Sequence, residues 1–293
     1  MRDLIQDVRY AARLLVRAPG FTVVAVAALA LGIGANTAIF SVVDTLLLRP
    51  LPYADADKLA VIWEHNVPRD RRTNVTSPGN FIHWRELNQS FRELSAISMT
   101  FRTTLTGAGD AVELPVQYIS GTLFGVLGVT PALGRDFLPE EDAPNVAAVA
   151  ISDRLWRQRF GADPNIVNRT IMLNGRPNPV VGVMPPGFSI LDKSVDVWST
   201  VGFSAAARTP RGRWIAVIGR VKDGVSMAQA QEDMARVHTE LIRRFPDFNT
   251  GWTANVVPLR QQLTGEVRPA LWVMLGAVGF VLLIACANVG NLV

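Results

Sequence analysis

Two long uncharged runs frame this chain, Ala18–Val43 and Ala270–Val293, and between them polar and apolar positions alternate on short periods. At a rise of about 1.5 Å per residue, a helix over either run is long enough to cross a hydrocarbon core of about 30 Å. The pattern predicts transmembrane helices at 18–43 and 270–293, with a domain at 44–268 on one side of the membrane. The second run reaches Val293 with no polar residue to close it, so the expectation is an N-terminal fragment with a truncated second span.

Ahead of the first run, Leu4, Val8, Ala11 and Leu15 recur at helical spacing, with Ile5 and Ala12 beside them and arginines over much of the rest. This stripe predicts an amphipathic helix at 1–17, lying at a membrane surface with its basic side chains among anionic head groups. It serves as a surface anchor or, on a sharper reading, touches a cytoplasmic partner. Ala18-Pro19-Gly20 then breaks it. Arg2, Arg9, Arg13 and Arg17 also set the orientation: N-terminus in the cytoplasm, large domain outside. The rival is a signal peptide cleaved near Ala28-Leu29-Ala30. A signal's apolar region is typically ~7–15 residues, however, and here apolar character continues through Ile39, Phe40, Val42 and Val43.

Inside the first run, Ala28, Gly32 and Asn36 fall at four-residue spacing, as do Gly34 and Ala38. Small residues let helices approach closely in lipid, so these are packing candidates, with Asn36 and Asn288 as polar contacts. By helical rise Asn36 lies about a dozen Å below the outer end of its helix and Asn288 about 27 Å below its own. The two are not expected to meet, and their partners are expected in helices this chain lacks.

The middle reads as α+β. Leu59–Glu64 is a strand, and Ser77-Pro78 caps a helix through Phe81, Trp84 and Leu87. Phe101–Thr106 and Val112–Ser120 form a hairpin turning through Gly107–Asp110, and Leu123–Leu127 is a short helix. Trp214–Val221 is a strand. Ser226 and Gln229 make a capping box on the helix Met227–Arg244, whose face is Ala230, Met234, Val237 and Leu241, and Pro246 ends it. Trp252–Val257 is the last strand. These flanking parts are halves of one helix-backed layer related to the split βαβ pattern. Between them, Arg135–Val201 has a different texture: a strand Ala147–Ile151, a helix capped by Ser152, and strands Thr170–Leu173 and Val180–Val183 joined at Asn174-Gly175. It reads as an insertion.

Charge and composition narrow the class. The chain is 49% hydrophobic and 18% charged, against about 25% charged in an average soluble chain, and the deficit sits in the two runs. The net charge of +4 comes from dispersed arginines. Arg69–Asp70–Arg71–Arg72 reads as a solvated loop tip, and no nucleic-acid reader motif occurs, so nucleic acid is not a predicted partner. The single cysteine, Cys286, falls in the second run, so the outer domain must hold together by packing without disulfides.

Several ordered segments carry a family likeness. Ala18-Pro19-Gly20-Phe21, the run Ala30–Ser41, and Leu48-Arg49-Pro50-Leu51-Pro52-Tyr53 resemble the MacB-type ABC transporter permeases, and more narrowly the duplicated orphan permeases first named from Acidobacteria. So do Leu127-Gly128-Val129 with Gly134-Arg135, Leu173-Asn174-Gly175, Val181–Phe188 and Leu283–Val289. The resemblance covers essentially the whole chain. It implies a membrane-anchored extracytoplasmic core with a porter-like lobe at about 50–130 and 205–262 and an inserted α+β lobe at about 135–201. It also implies an FtsX-like membrane part beginning at the second span, and an inner-membrane, multi-pass location.

Candidate chemistry is sparse. No G-x-x-x-x-G-K-[ST], G-x-S-x-G or H-E-x-x-H occurs, and Lys58, Lys193 and Lys222 follow no glycine-rich turn. His65, His83 and His238 are isolated and read as structural, and Glu140-Glu141-Asp142 reads as a solvated loop rather than a cation site. The expectation is therefore no enzyme, no metal and no cofactor in this chain, with any energy coming from a separate subunit, which the resemblance implies is a cytoplasmic one that binds ATP. The resemblance adds a second permease copy, or a second half of a longer chain, as partner. An FtsX-like regulator of an outside partner such as a cell-wall hydrolase is the alternative. A membrane-anchored enzyme of unfamiliar type is disfavoured by the lack of a site constellation.

Overall fold

The computed structural model describes residues 19–44, 51–192, 194–265 and 268–290. It separates into two compact units, one from the two chain ends and one from Leu51–Leu263. The amphipathic helix expected at 1–17 and the side chains of Ala28 and Asn288 lie outside the described residues.

Helices in chain order are α1 (Pro19–Val43), α2 (Pro78–Leu87), α3 (Leu123–Leu127), α4 (Asp153–Phe160), α5 (Met227–Arg244), α6 (Pro246–Asn249), α7 (Leu259–Thr264) and α8 (Arg268–Gly290). Strands are β1 (Leu59–Asn66), β2 (Arg71–Asn74), β3 (Phe91–Ser98), β4 (Phe101–Thr106), β5 (Val112–Ile119) and β6 (Leu133–Gly134). There follow β7 (Val149–Ile151), β8 (Thr170–Leu173), β9 (Arg176–Val183), β10 (Val197–Thr200), β11 (Ile215–Val221) and β12 (Trp252–Pro258).

In the first unit α1 and α8 pack on each other. Asn36 donates to the carbonyl of Gly32 at 3.0 Å and to that of Val278, on α8, at 3.4 Å. This corrects the expectation that Asn36 finds its partner outside this chain. The antiparallel return of α8 brings Val278, and not Asn288, to its depth. Gly32 is buried, whereas Gly34 and Ala38 face outward, and a Cβ on Gly34 would meet nothing within 4 Å. Among the described residues, no helix is long and apolar enough to cross a membrane.

In the second unit, β12, β1, β11 and β3 lie side by side, every neighbour antiparallel. With α2 and α5 on one face, this is the β-α-β-β-α-β order of the ferredoxin-like layer. Phe81 and Trp84 of α2 and Met234, Val237 and Leu241 of α5 meet Ile62, Leu94 and Val217 of the sheet. Each large apolar side chain so buried contributes about 1.5–3 kcal/mol. Both helices begin where the sequence says. Ser77 accepts from Asn80 N on α2, and Ser226 and Gln229 form a reciprocal capping box on α5. The sheet's other face is covered by Leu123, Phe124 and Leu127 of α3 together with Trp198, so β1 and β11 are buried on both sides.

The hairpin β4–β5 departs from the sequence reading. The resemblance places it in the porter-like lobe, yet β4 pairs β8, and β5 pairs β10 in parallel. With β7–β10, β7–β9 and β8–β9, these contacts close a six-stranded ring. The inserted segment therefore cannot complete its core alone: Leu105, Leu114 and Val116 from the hairpin fill it together with Val149, Ile171 and Val180. The ring joins the layer where Ile119 of β5 pairs Ile97 of β3. Of the expected loop tip Arg69–Arg72, Arg69 and Asp70 do lie in the exposed turn between β1 and β2, while Arg71 and Arg72 open the short exposed strand β2 against β1.

Candidate functional site

Where the layer meets the ring, a cleft of about 660 Å³ opens. Three elements supply its arginines and one carboxylate. The last turn of α2 contributes Arg85, the start of β3 contributes Arg92 and Glu93, and the end of β11 contributes Arg220. Across from them, the loop after β6 brings Asp136, Phe137 and Asp142, and α3 lays Val126 along the floor.

These charges differ in how far they are committed. Arg220 donates to the carbonyls of Val126 at 2.9 Å and Ala54 at 2.7 Å, so it ties α3 to the sheet, and its burial holds its guanidinium below the usual pKa. Asp142 accepts from Gly121 N at 2.8 Å and Gly202 N at 3.2 Å, bracing two chain turns. Arg85 pairs with Glu93 at 3.1 Å. Arg92 makes no hydrogen bond or close ion pair among the described residues, and its charge acts on Asp223 and Arg220 nearby. Asp136 accepts from Phe137 N, and burial raises its carboxyl above the usual range. Thr122 is engaged with Ser95 at 2.7 Å and faces no base. The cleft is thus lined by side chains of both charges.

A second polar constellation lies inside the layer. Glu64 is fully buried in β1 and accepts from Thr76 Oγ1 and Asn80 Nδ2, both at 2.6 Å, and from Arg213 Nε. Arg213 is sandwiched between the rings of Phe248 and Trp252, each 3.9 Å from its guanidinium carbon. Asn80 also donates to Asn249 at 2.7 Å. These bonds tie the α5–α6 corner to the sheet, although Asn80 Oδ1 finds no partner among the described residues. Nothing in the sequence reading singled out Glu64 or Arg213. The available signal was a charged residue inside an apolar strand, which implies a buried partner.

The remaining sequence candidates are distributed. His83 contacts the carbonyl of Arg208 at 3.2 Å, His65 lies 3.4 Å from Asp70, and His238 is buried beside Trp84. Glu141 is held in a two-pronged pair with Arg135 at 2.7 and 2.8 Å, which fixes its loop instead of leaving it solvated. The packing candidates Gly32, Gly34, Asn36 and Ala38 are all in the helical unit.

Residues 22–237 match the family described as the MacB-like periplasmic core domain. The macrolide export ATP-binding/permease protein MacB of Shigella dysenteriae is 26% identical over 121 residues, covering 41% of this chain and 19% of that protein. The MacB protein of Hahella chejuensis is 23% identical over 156 residues, covering 53% of this chain and 24% of its own length. The chain thus matches about a quarter or less of these relatives' length. Its fold is that of the periplasmic region of MacB from Actinobacillus actinomycetemcomitans, with a TM-score of 0.52 at 14% identity, covering 73% of this chain and 94% of that one. A permease-protein domain from Porphyromonas gingivalis superposes similarly, with a TM-score of 0.54, 15% identity, and coverage of 70% and 92%. The chain belongs to the family of the MacB-like periplasmic core domain.

Proposed function

We propose that this chain is the permease part of a MacB-type ABC transporter, in which a separate cytoplasmic subunit hydrolyses ATP and the motion reaches an extracytoplasmic domain. The observation that carries the reading is the family match across a two-lobed domain whose ends run into two helices that pack together. Among the described residues no helix is long and apolar enough to cross a membrane, so the crossing rests on the uncharged runs 18–43 and 270–293 together with the family match. On this reading α1 and α8 span the inner membrane, residues 51–263 lie outside, and the N-terminus is cytoplasmic.

The chain itself does no chemistry and needs no cofactor in this scheme. The cleft at Arg92 and Asp136 binds by charge, and a second permease copy or half completes the machine. The test is a distance probe, one spin label on each outer domain of an assembled complex, read with and without ATP. A nucleotide-dependent change in separation is expected. An unchanged separation in a complex that hydrolyses ATP would remove mechanical transmission as the mechanism.

A further inference from the structure

The ring's two ends are unlike. At one, α4 adds Leu155 and Phe160 to the apolar interior. At the other, a cavity of about 760 Å³ opens, floored by Val116 and Leu173, which belong to that same interior. Barrel mouths of this kind, an apolar floor with a few convergent polar groups, are common ligand sites.

The rim has a distinct chemistry. Thr103, Tyr118, Asn145, Asn174, Arg176 and Asn178 line it, and among the described residues no carboxylate and no lysine does. The side chains of Tyr118, Asn145 and Arg176 have no hydrogen-bond or ionic partner among the described residues. Asn174 uses its carbonyl oxygen to hold Thr104 N at 2.8 Å, which leaves its NH2 group to donate. Asn178 gives one proton to the Arg176 carbonyl at 2.8 Å and keeps its oxygen to accept. Tyr118 of the lining packs against Phe101 beside it, ring centroids 5.9 Å apart, the two 36% and 42% exposed. By strand alternation both side chains are on the ring's inner face, in step with Thr103 and Val116.

We propose that this mouth binds an acidic saccharide, with the Phe101–Tyr118 pair as the platform for a sugar ring and Arg176 as the partner of its carboxylate. A sugar offers hydroxyls that donate and accept around an apolar C–H face, and amides, hydroxyls and exposed aromatic rings answer each of those features. A cationic ligand would find no carboxylate here. A polyphosphate would find a single cation, whereas one carboxylate matches one guanidinium in a two-pronged bond. The site is separate from the interlobe cleft and does not rest on the permease reading.

The full chain, solubilised in a detergent without a sugar head group, would be titrated with trigalacturonic acid and with the neutral maltotriose. Saturation-transfer NMR and calorimetry give the readout. Trigalacturonate should bind at least about tenfold tighter than maltotriose, as one charge-assisted bond allows. Arg176→Gln should bring it down to the maltotriose level, and Tyr118→Ala should abolish transfer to the sugar C–H protons with circular dichroism unchanged. Failure of the wild type to bind trigalacturonate overturns the proposal, as does unchanged affinity in either variant or a preference for maltotriose. Citrate binding as tightly as trigalacturonate would mean a carboxylate site without a sugar platform, and overturns it equally.

Discussion

At the scale of single residues, the layer's interior sets its acid tolerance. His238 is fully buried on α5, its two ring nitrogens have no protein partner, and its nearest ring is Trp84 at 6.3 Å between centroids. Burial pushes its pKa down to about 4, partly offset by the Glu64 charge and reinforced by Arg213. A folded-state pKa below the unfolded value means that the unfolded chain binds the extra proton first. Stability is therefore whole above about pH 6.5 and is lost as pH falls towards 4, by about 3 kcal/mol for this one group. His238→Phe keeps an aromatic ring beside Trp84 and removes the proton. The variant's urea-unfolding midpoint should fall less than the wild type's between pH 7 and 4.5, since the carboxylates titrate alike in both. Parallel pH profiles would show that His238 is not the acid-sensitive group. Glu64 and Arg213 differ in kind: each is paired with the other, so each is costly to remove alone.

At the scale of elements, two glycine-bearing segments that the sequence reading matched to a family turn out to be one piece of structure. Gly134 and Gly182 face each other where β6 pairs β9. A Cβ on Gly182 would lie 2.7 Å from the carbonyl oxygen of Arg135, and one on Gly134, whose φ is +81°, would collide with that of Val181. Backbone cannot yield as a flexible side chain can, so Gly182→Ala should cost about 1–3 kcal/mol or more by overpacking. The control is Gly125→Ala, on α3, where a Cβ would meet nothing within 4 Å. Equal unfolding midpoints for the two variants would refute the close approach. Why such segments pair was not legible, whereas the segments themselves were. The hairpin at Asn174-Gly175 was read from its turn, and both residues do take positive φ, +48° and +72°. The Ser77 cap and the Ser226–Gln229 capping box are equally local signals. Strand β3 was missed because its run Leu94–Ser98 is buried throughout, with no alternation to mark it. The ring was missed because β5 and β10 are distant in sequence and pair in parallel, a contact that no local period records. For the same reason neither the charged cleft nor the ring mouth could be assembled from sequence, although Arg92, Arg176 and Tyr118 were each in plain view.

At the scale of the whole molecule, the helical unit separates two faces that the sequence treated alike. Gly32, Gly34, Asn36 and Ala38 were grouped as packing candidates by spacing alone. Gly32 is buried one turn from Asn36, which bonds to the Val278 carbonyl of α8, while Gly34 and Ala38 are exposed and Gly34 has open space beside it. Gly32→Leu should therefore force α1 and α8 apart within one copy, and it should do so even in the isolated chain. A cross-link between cysteines placed at Gly32-facing positions on the two helices would report it as a loss of yield. Gly34→Leu should leave that cross-link intact. In a complete transporter the second variant becomes the more telling one, because small residues on an outward face in lipid are where another helix comes close. If Gly34→Leu uncouples ATP hydrolysis from outer-domain motion while the α1–α8 cross-link still forms, the Gly34–Ala38 face packs on the rest of the machine and transmits its motion. If Gly34→Leu leaves hydrolysis and motion coupled, that face is lipid-facing, and any force from the ATPase must enter through the α1–α8 pair itself.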